Sequence, residues 1–220
     1  MADGSKFARS GNGEEAMPMT WLLCDYGEVL ALAPSAADRG ALESEAGTGG
    51  PGFWAGYWEH RPAYDRADVD TARYWTQVLG HAPGAARLRR LAELDTIMWS
   101  RPDQSSLDAA AGAAERGVKL ALLSNAPARL AGQLDRLPWL APFCPRIFSG
   151  NVGMIKPEPG IYALALKALH AAPQDVTFVD DRLENVLAAR RAGMRATLFT
   201  SSSQLAGPAA PGTVSEDAGQ

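Results

Sequence analysis

The chain has 220 residues, 46% apolar and 21% charged, with a formal net charge of −4. This balance suits a globular protein built as one domain with an insertion, or as one large and one small domain. It lacks the basic footprint of a nucleic-acid binder, and no apolar run approaches the length of a membrane span, so neither nucleic acid nor membrane is an expected partner. The N-terminus carries no apolar signal core. Cys24 and Cys144 are too few for a disulfide scaffold or a zinc motif, which fits two inert thiols in a reducing cytoplasm.

Residues 1–18 are polar and Gly-rich and are expected to form a flexible tail, with Met17 and Met19 as alternative native starts. The first strand covers Thr20 to Cys24. The Ala-, Gly- and Ser-rich stretch from Pro34 to Gly52 has the composition of a loop. Beyond it, Phe53, Tyr57 and Arg61 share one helical spacing, and Trp54 and Trp58 share the neighbouring one. Asp70 is placed to cap a helix that runs to Leu79 and stops at Gly80. Residues 84–99 form another amphipathic helix, with Leu88, Leu91, Ala92 and Asp95 along one side, and Pro102 ends it. Residues 34–100 therefore read as a small all-helical insertion after the first strand.

A helix from Ser105 to Arg116 stops at Gly117 and leads into a strand at Val118–Leu123. A helix at Ala128–Arg136, a short strand at Arg146–Ser149 and a helix at Glu158–His170 follow. A strand at Val176–Val179, a helix at Glu184–Ala192 ending at Gly193, and a strand at Ala196–Phe199 complete the series. Residues 201–220, rich in Ser, Gly, Pro and Ala, are expected to be a second flexible tail. Strand and helix alternating at this spacing define an α/β protein with a doubly wound, Rossmann-like parallel sheet. Its core comprises residues 19–33 and 101–200.

Three of the strands stop at a polar group: Asp25, Ser124 with Asn125, and Asp180 with Asp181. Lys156 lies between the second and third of these. Apolar runs of four or five residues ending this way are buried parallel strands, and their carboxyl ends line the ligand crevice of an open sheet. Taken singly, each group has an ordinary explanation as a helix cap, a turn or solvated surface. Taken together they bring a nucleophile, a hydroxyl, a cation and a carboxylate pair to one place. Asp25, Asp180 and Asp181 brought together would repel unless a cation balanced them. Carboxylates, carbonyls and water are the ligands of Mg²⁺, with a substrate phosphate completing the shell. Lys156 adds positive charge for an anionic substrate. Ser124 and nearby backbone N–H groups can hold phosphate oxygens, which leaves Asp25 free to attack phosphorus and form an aspartyl phosphate.

The segments Leu-Leu-Cys-Asp25-Tyr-Gly-Glu-Val-Leu, Leu-Leu-Ser124-Asn125, Ile-Lys156-Pro-Glu-Pro-Gly-Ile-Tyr162 and Phe-Val-Asp180-Asp181-Arg-Leu-Glu-Asn185 stand in this order across residues 20–200. In them the chain resembles the haloacid dehalogenase superfamily, most closely its small, helically capped branch of sugar-phosphate phosphatases. The resemblance implies a Rossmann-like core with an α-helical cap. It also implies Mg²⁺ held by Asp25, the backbone oxygen of Gly27 and Asp180, with Asp181 orienting the site. The activity it implies is hydrolysis of a small phosphorylated metabolite, such as a sugar phosphate.

One position departs from the family pattern. Most phosphatases of the family carry a second Asp two residues after the nucleophile, as general acid and base; here Gly27 stands there. Such a group is worth about 10²–10⁴-fold in rate. Glu28 is next in line, but successive side chains of an extended chain point in different directions. Two other functions remain open: a hydrolytic 2-haloacid dehalogenase, whose halide leaves without a proton, and a binding protein that has lost turnover. Adjacent aspartates at 180 and 181 favour the metal enzyme over the dehalogenase. In the helical insertion Arg61 and Tyr64 are candidate substrate-binding residues, while Trp54 and Trp58 are expected to be packing residues. The sequence says nothing of oligomeric state.

Overall fold

In the computed structural model, which describes residues 20–206, five short apolar segments line up as one parallel sheet. They are β1 (Trp21–Cys24), β2 (Lys119–Ser124), β3 (Arg146–Phe148), β4 (Val176–Asp180) and β5 (Arg195–Leu198), in the spatial order β3-β2-β1-β4-β5. Leu22 and Cys24 enter the buried cluster on one face, and Trp21 and Leu23 enter the cluster on the other. Both faces are covered, which is why the strands read as unbroken apolar runs rather than alternating ones. From β1 the chain winds outward through β2 and β3, then returns to β4 on the other side of β1. That reversal opens a crevice beyond the carboxyl ends of β1, β2 and β4.

Of the five helices between β1 and β2, the first four are α1 (Ala36–Ala46), α2 (Gly50–Asp65), α3 (Thr71–Leu79) and α4 (Ala85–Met98). α3 starts at Asp70, whose carboxylate accepts from Arg73 N, and ends at a left-handed Gly80, as its sequence indicates. α1 occupies a stretch whose composition suggested a loop. Its signal is a capping box: Ser35 accepts from Asp38 N, and the Asp38 carboxylate accepts from Ser35 N at 2.9 Å. Only Leu42 and Ala46 of α1 are buried, so its apolar stripe is too thin to stand out. The segments leading into and out of these helices pair with each other. Leu32 N donates to Arg101 O and Asp103 N donates to Leu30 O, each at 2.9 Å.

The remaining helices are α5 (Gln104–Glu115), α6 (Ala128–Leu134), α7 (Ser149–Val152), α8 (Pro159–Leu169) and α9 (Leu183–Arg191). Ser149, expected at the end of a strand, instead opens α7. Residues 202–206, expected in a flexible tail, form a 3₁₀ turn against α5. There Leu205 is fully buried and Arg116 contacts the carbonyl of Ala206. One apolar side chain anchors a segment whose composition is otherwise that of a tail. The rest of both expected tails, residues 1–18 and 207–220, lies outside the described residues. Among those described, no helix is long and apolar enough to cross a membrane.

α7 fixes the crevice floor. Ser149 Oγ donates to the Asp65 carbonyl at 2.6 Å and accepts from Ala126 N at 2.9 Å, tying the end of α2 to the loop after β2. Beside it, Gly150 approaches that loop so closely that a Cβ would stand 2.3 Å from Ala128 N and 2.7 Å from Pro127 C. Backbone atoms cannot swing aside as a side chain can. Gly150→Ala is therefore expected to destabilise the fold by about 1–3 kcal/mol through overpacking, read as a lower urea midpoint at unchanged slope.

Candidate active site

Asp25 follows β1 and is seated by a hydrogen bond from its N–H to Val179 O in β4, at 2.9 Å. Its Oδ1 accepts from Tyr26 N at 2.7 Å and meets Lys156 Nζ at 2.6 Å. The same ammonium lies 2.6 Å from Asp180 Oδ2, at the end of β4. β1 and β4 are neighbours in register, with Cys24 opposite Val179, so Asp25 and Asp180 leave the sheet side by side. Lys156 comes from the loop before α8 and is held by its backbone. Lys156 N donates to Asn125 Oδ1, and Asn125 Nδ2 donates to Lys156 O, both at 2.8 Å. Asn125, expected to bind substrate, thus spends its amide mainly on positioning the lysine.

The two carboxylates flanking the ammonium are not equivalent. Asp180 is fully buried, and both its oxygens are occupied. Oδ1 accepts from Arg182 N at 2.8 Å and from Asn185 Nδ2 at 2.9 Å; Oδ2 accepts from Lys156 and from Asn185 Nδ2 at 3.1 Å. Asp25 faces a cavity of about 510 Å³, as do Gly27, Ser124, Asn125, Lys156 and Asp181. Carboxylate oxygens of Asp25, Asp180 and Asp181 lie within 4.8 Å of one another. The buried Asn185 Oδ1 has no hydrogen-bond partner. Ser124 is buried, and its hydroxyl makes no hydrogen bond to the described residues.

Burial pushes the Asp25 carboxyl up to about 7; Lys156 pulls it down, while Asp180 and Asp181 push it further. Burial also raises Asp181, and Asp180 adds to this. Burial works against the charge of Lys156, but Asp180 and Asp25 outweigh it and leave the ammonium above its usual range. One fixed cation therefore serves two buried anions, with a third beside them. Cys24, one residue away, is buried beneath the sheet end. Burial and then Asp25 hold its thiol protonated, so it is inert.

The cavity roof is α2. Trp58, Arg61, Pro62 and Asp65 line it, at i, i+3, i+4 and i+7. Arg61 is buried and paired: its Nε bonds Asp65 Oδ1 at 2.7 Å, and its Nη1 lies 3.2 Å from Asp95 Oδ1 and contacts the Tyr57 hydroxyl. Trp58, expected to be a packing residue, is 51% exposed and forms part of the wall with Trp99, Tyr26, Leu130 and Ile155. Trp54 does pack, with its indole N–H on Glu43 Oε1 at 2.7 Å. Tyr64, expected to touch substrate, does not reach the cavity. It stacks on Tyr74 at 4.4 Å between ring centroids, and its hydroxyl lies 2.9 Å from Thr71 Oγ1. Sequence reasoning placed Phe53, Tyr57 and Arg61 on one helical spacing and gave no role to Asp65, which continues that row one turn further.

Gly27 lies beneath the Trp99 ring: a Cβ there would stand 3.3 Å from Trp99 Cζ3. The indole is fixed by its N–H, which donates to the Tyr57 hydroxyl at 3.2 Å. A ring thus occupies the space into which a longer residue 27 would grow. Glu28 has φ +58°, so the chain is not extended there, as had been expected; its exposed side chain sits at the cavity mouth.

The model of the haloacid dehalogenase-like hydrolase family matches residues 16–193. A drimenol cyclase of Aspergillus calidoustus is 49% identical over 51 residues, which are 23% of this chain and 10% of that protein. A sesquiterpene phosphatase of Aspergillus oryzae is 35% identical over 80 residues, 36% of this chain and 41% of that one. The matches thus span less than half the length of either relative. The magnesium complex of a haloacid dehalogenase-family enzyme from Bacteroides thetaiotaomicron superposes with a TM-score of 0.64 at 16% identity, covering 83% of this chain and 94% of that one. With a parallel α/β sheet in this strand order, and the four motif segments gathered at its carboxyl edge, the chain belongs to the haloacid dehalogenase-like hydrolases.

Proposed function

We propose that this site is a Mg²⁺-dependent phosphatase that hydrolyses a small phosphorylated metabolite through an aspartyl phosphate on Asp25. The observation that carries the proposal is Lys156 bridging Asp25 and Asp180, with Asp181 and the Ser124 hydroxyl, unpartnered among the described residues, on the same cavity. The donor set is all oxygen, which suits Mg²⁺. Asp25 and Asp181 offer carboxylates and Gly27 its carbonyl. Asp180, the ligand implied by family resemblance, is already occupied at both oxygens, so its part is to hold Lys156. When bound, the cation supplies Lewis-acid stabilisation of phosphoryl charge.

The protein's own groups then divide the work. The Asp25 oxygen that does not face Lys156 attacks phosphorus. Ser124 donates its hydroxyl to a phosphoryl oxygen, and Lys156 opposes the charge that builds up in the transition state. Residues 34–100 act as the cap, with Arg61 and Trp58 meeting the part of the substrate beyond the phosphate. The wall of Tyr26, Trp58, Trp99, Leu130 and Ile155 favours a leaving group with an apolar face. That fits both a sugar ring and the terpenoid substrate named for the Aspergillus oryzae relative. Both cysteines are free, in keeping with a cytoplasmic site of action.

Asp25→Asn is expected to abolish phosphate release from 4-nitrophenyl phosphate in Mg²⁺, and EDTA should do the same to the parent protein. Halide release from a 2-haloacid that persists in EDTA would instead establish the dehalogenase. A second expectation concerns stability without metal. The Asp25 pKa is about 7 folded against 3.8 for the free group, so between these values the folded state holds the extra proton. Asp25 should therefore make stability in EDTA fall by on the order of 2 kcal/mol as pH rises from 5 to 7.5; Asp65 and Asp181, also raised by burial, add to the slope, and Asp25→Asn should reduce it in urea titrations.

A further inference from the structure

The phosphatase reading leaves the proton unassigned. An alkoxide leaving group needs one, and the water that later opens the aspartyl phosphate must lose one. Gly27 has no side chain, and Trp99 covers it. The Trp99 indole bonds Tyr57, Tyr57 donates to Asp95 Oδ1 at 2.5 Å and contacts Arg61, and Arg61 bonds Asp65. So the ring over Gly27 belongs to one buried hydrogen-bonded network that ends at a carboxylate on the cavity roof.

Resting on the phosphatase reading, we propose that Asp65 is the general acid and base of this enzyme, delivered from the helical cap rather than from the loop after β1. Asp65 is 7% exposed and lines the cavity that also holds Asp25, Ser124 and Lys156. One oxygen, Oδ1, accepts from Arg61 Nε at 2.7 Å; the other makes no hydrogen bond to the described residues. The Asp65 carbonyl accepts from Ser149 Oγ at 2.6 Å, so its main chain is pinned to the floor it would serve. The charged groups that face it are Arg61 on its own helix, Asp95 on α4 and Lys156 below. Burial pushes its carboxyl up to about 6 although Arg61 opposes this, which suits a group that must give and take a proton near neutrality. Of the other carboxylates at the cavity, Asp181 belongs to the cluster with Asp25 and Asp180, Glu28 is exposed, and Glu184 is exposed and paired with Arg182 at 2.7 Å.

The steps balance as follows. An Asp25 oxygen forms a bond to phosphorus as the bond from phosphorus to the leaving oxygen breaks, and the Asp65 proton passes to that oxygen to give the free alcohol. Water then forms a bond to phosphorus as the Asp25 oxygen departs, and the water proton returns to Asp65. Inorganic phosphate leaves with both aspartates restored.

The test uses the full chain in Mg²⁺ with two substrates: a simple alkyl phosphate, and 4-nitrophenyl phosphate, whose leaving group needs no proton. Asp65→Asn is expected to lose about 10²–10⁴-fold in kcat on the alkyl phosphate. On 4-nitrophenyl phosphate it should release one nitrophenolate per site in a burst and then turn over slowly, because only the second step lacks its base. Asp65→Ala should regain turnover when formate is added. Asp95→Asn, which disturbs the same network away from the cavity, should show no burst. The proposal is overturned if Asp65→Asn keeps turnover within threefold on the alkyl phosphate. It is equally overturned if burst and steady state fall together in Asp65→Asn with no formate rescue of Asp65→Ala, or if Asp95→Asn bursts alike. Should the parent itself release no phosphate from either substrate, the phosphatase reading is what fails.

Discussion

The site depends on a buried ammonium held between two buried carboxylates. Lys156 lies 2.6 Å from Asp25 and 2.6 Å from Asp180, with the lysine 3% exposed. Removing one member of such a set strands the others in a low-dielectric place, typically at a cost of about 3–5 kcal/mol. This constraint explains several features that otherwise look separate. β1 and β4 must be neighbours so that the two aspartates emerge together. Asn125 must clasp the lysine backbone, because the lysine arrives on a loop with no sheet to position it. Asn185 and Arg182 N must satisfy Asp180 so that its charge is spent inward. Three carboxylates against one ammonium leave two negative charges, the charge of one divalent cation.

The floor of the site was legible in the sequence because parallel strands are short, buried on both faces and end at the crevice. Asp25, Ser124 and Asp181 could be placed without coordinates for that reason, whereas Lys156, on a loop, was placed by the motif that carries it. Family resemblance gave the metal to Asp180 and the orienting part to Asp181, but the residues themselves do not separate the two. Adjacent residues have the same composition signal, and only the filled hydrogen bonds of Asp180 set them apart. α1 was missed because two buried residues in eleven make too thin a stripe, although its capping box was present. The turn at 202–206 was missed because Leu205 alone holds it. Tyr64 was misjudged because an aromatic at helical spacing serves a core and a ligand equally well until its partner ring is known.

α2 carries two kinds of information on overlapping faces. Phe53, Tyr57 and Tyr64 bind it into the helical insertion, while Trp58, Arg61, Pro62 and Asp65 turn toward the crevice. Arg61 belongs to both sets: it reaches inward to Asp95 and across to Asp65. Ser149 then fastens the end of α2 to α7, and Arg66 at that same end pairs with Glu158 before α8, so the roof is registered on the floor by an ion pair and by a hydroxyl that also caps the loop after Ser124. This is how the helices α1–α4 can present side chains to the cavity beside Asp25 with fixed geometry rather than as a loose lid.

Gly27 links these observations. A fold that places an aspartate at the end of a central strand has two places from which to supply a second carboxylate: the loop just after that strand, or the roof opposite. Here the first is crowded, because a Cβ at 27 would stand 3.3 Å from the Trp99 ring, and Tyr57 holds the ring there. Exchanging Gly27 for a longer residue would press on that ring, and through Tyr57 on Asp95 and Arg61. A strand-end carboxylate and the present roof therefore compete for the same space. The aromatic network that takes the position from one aspartate holds another, Asp65, over the same cavity with an oxygen unspent.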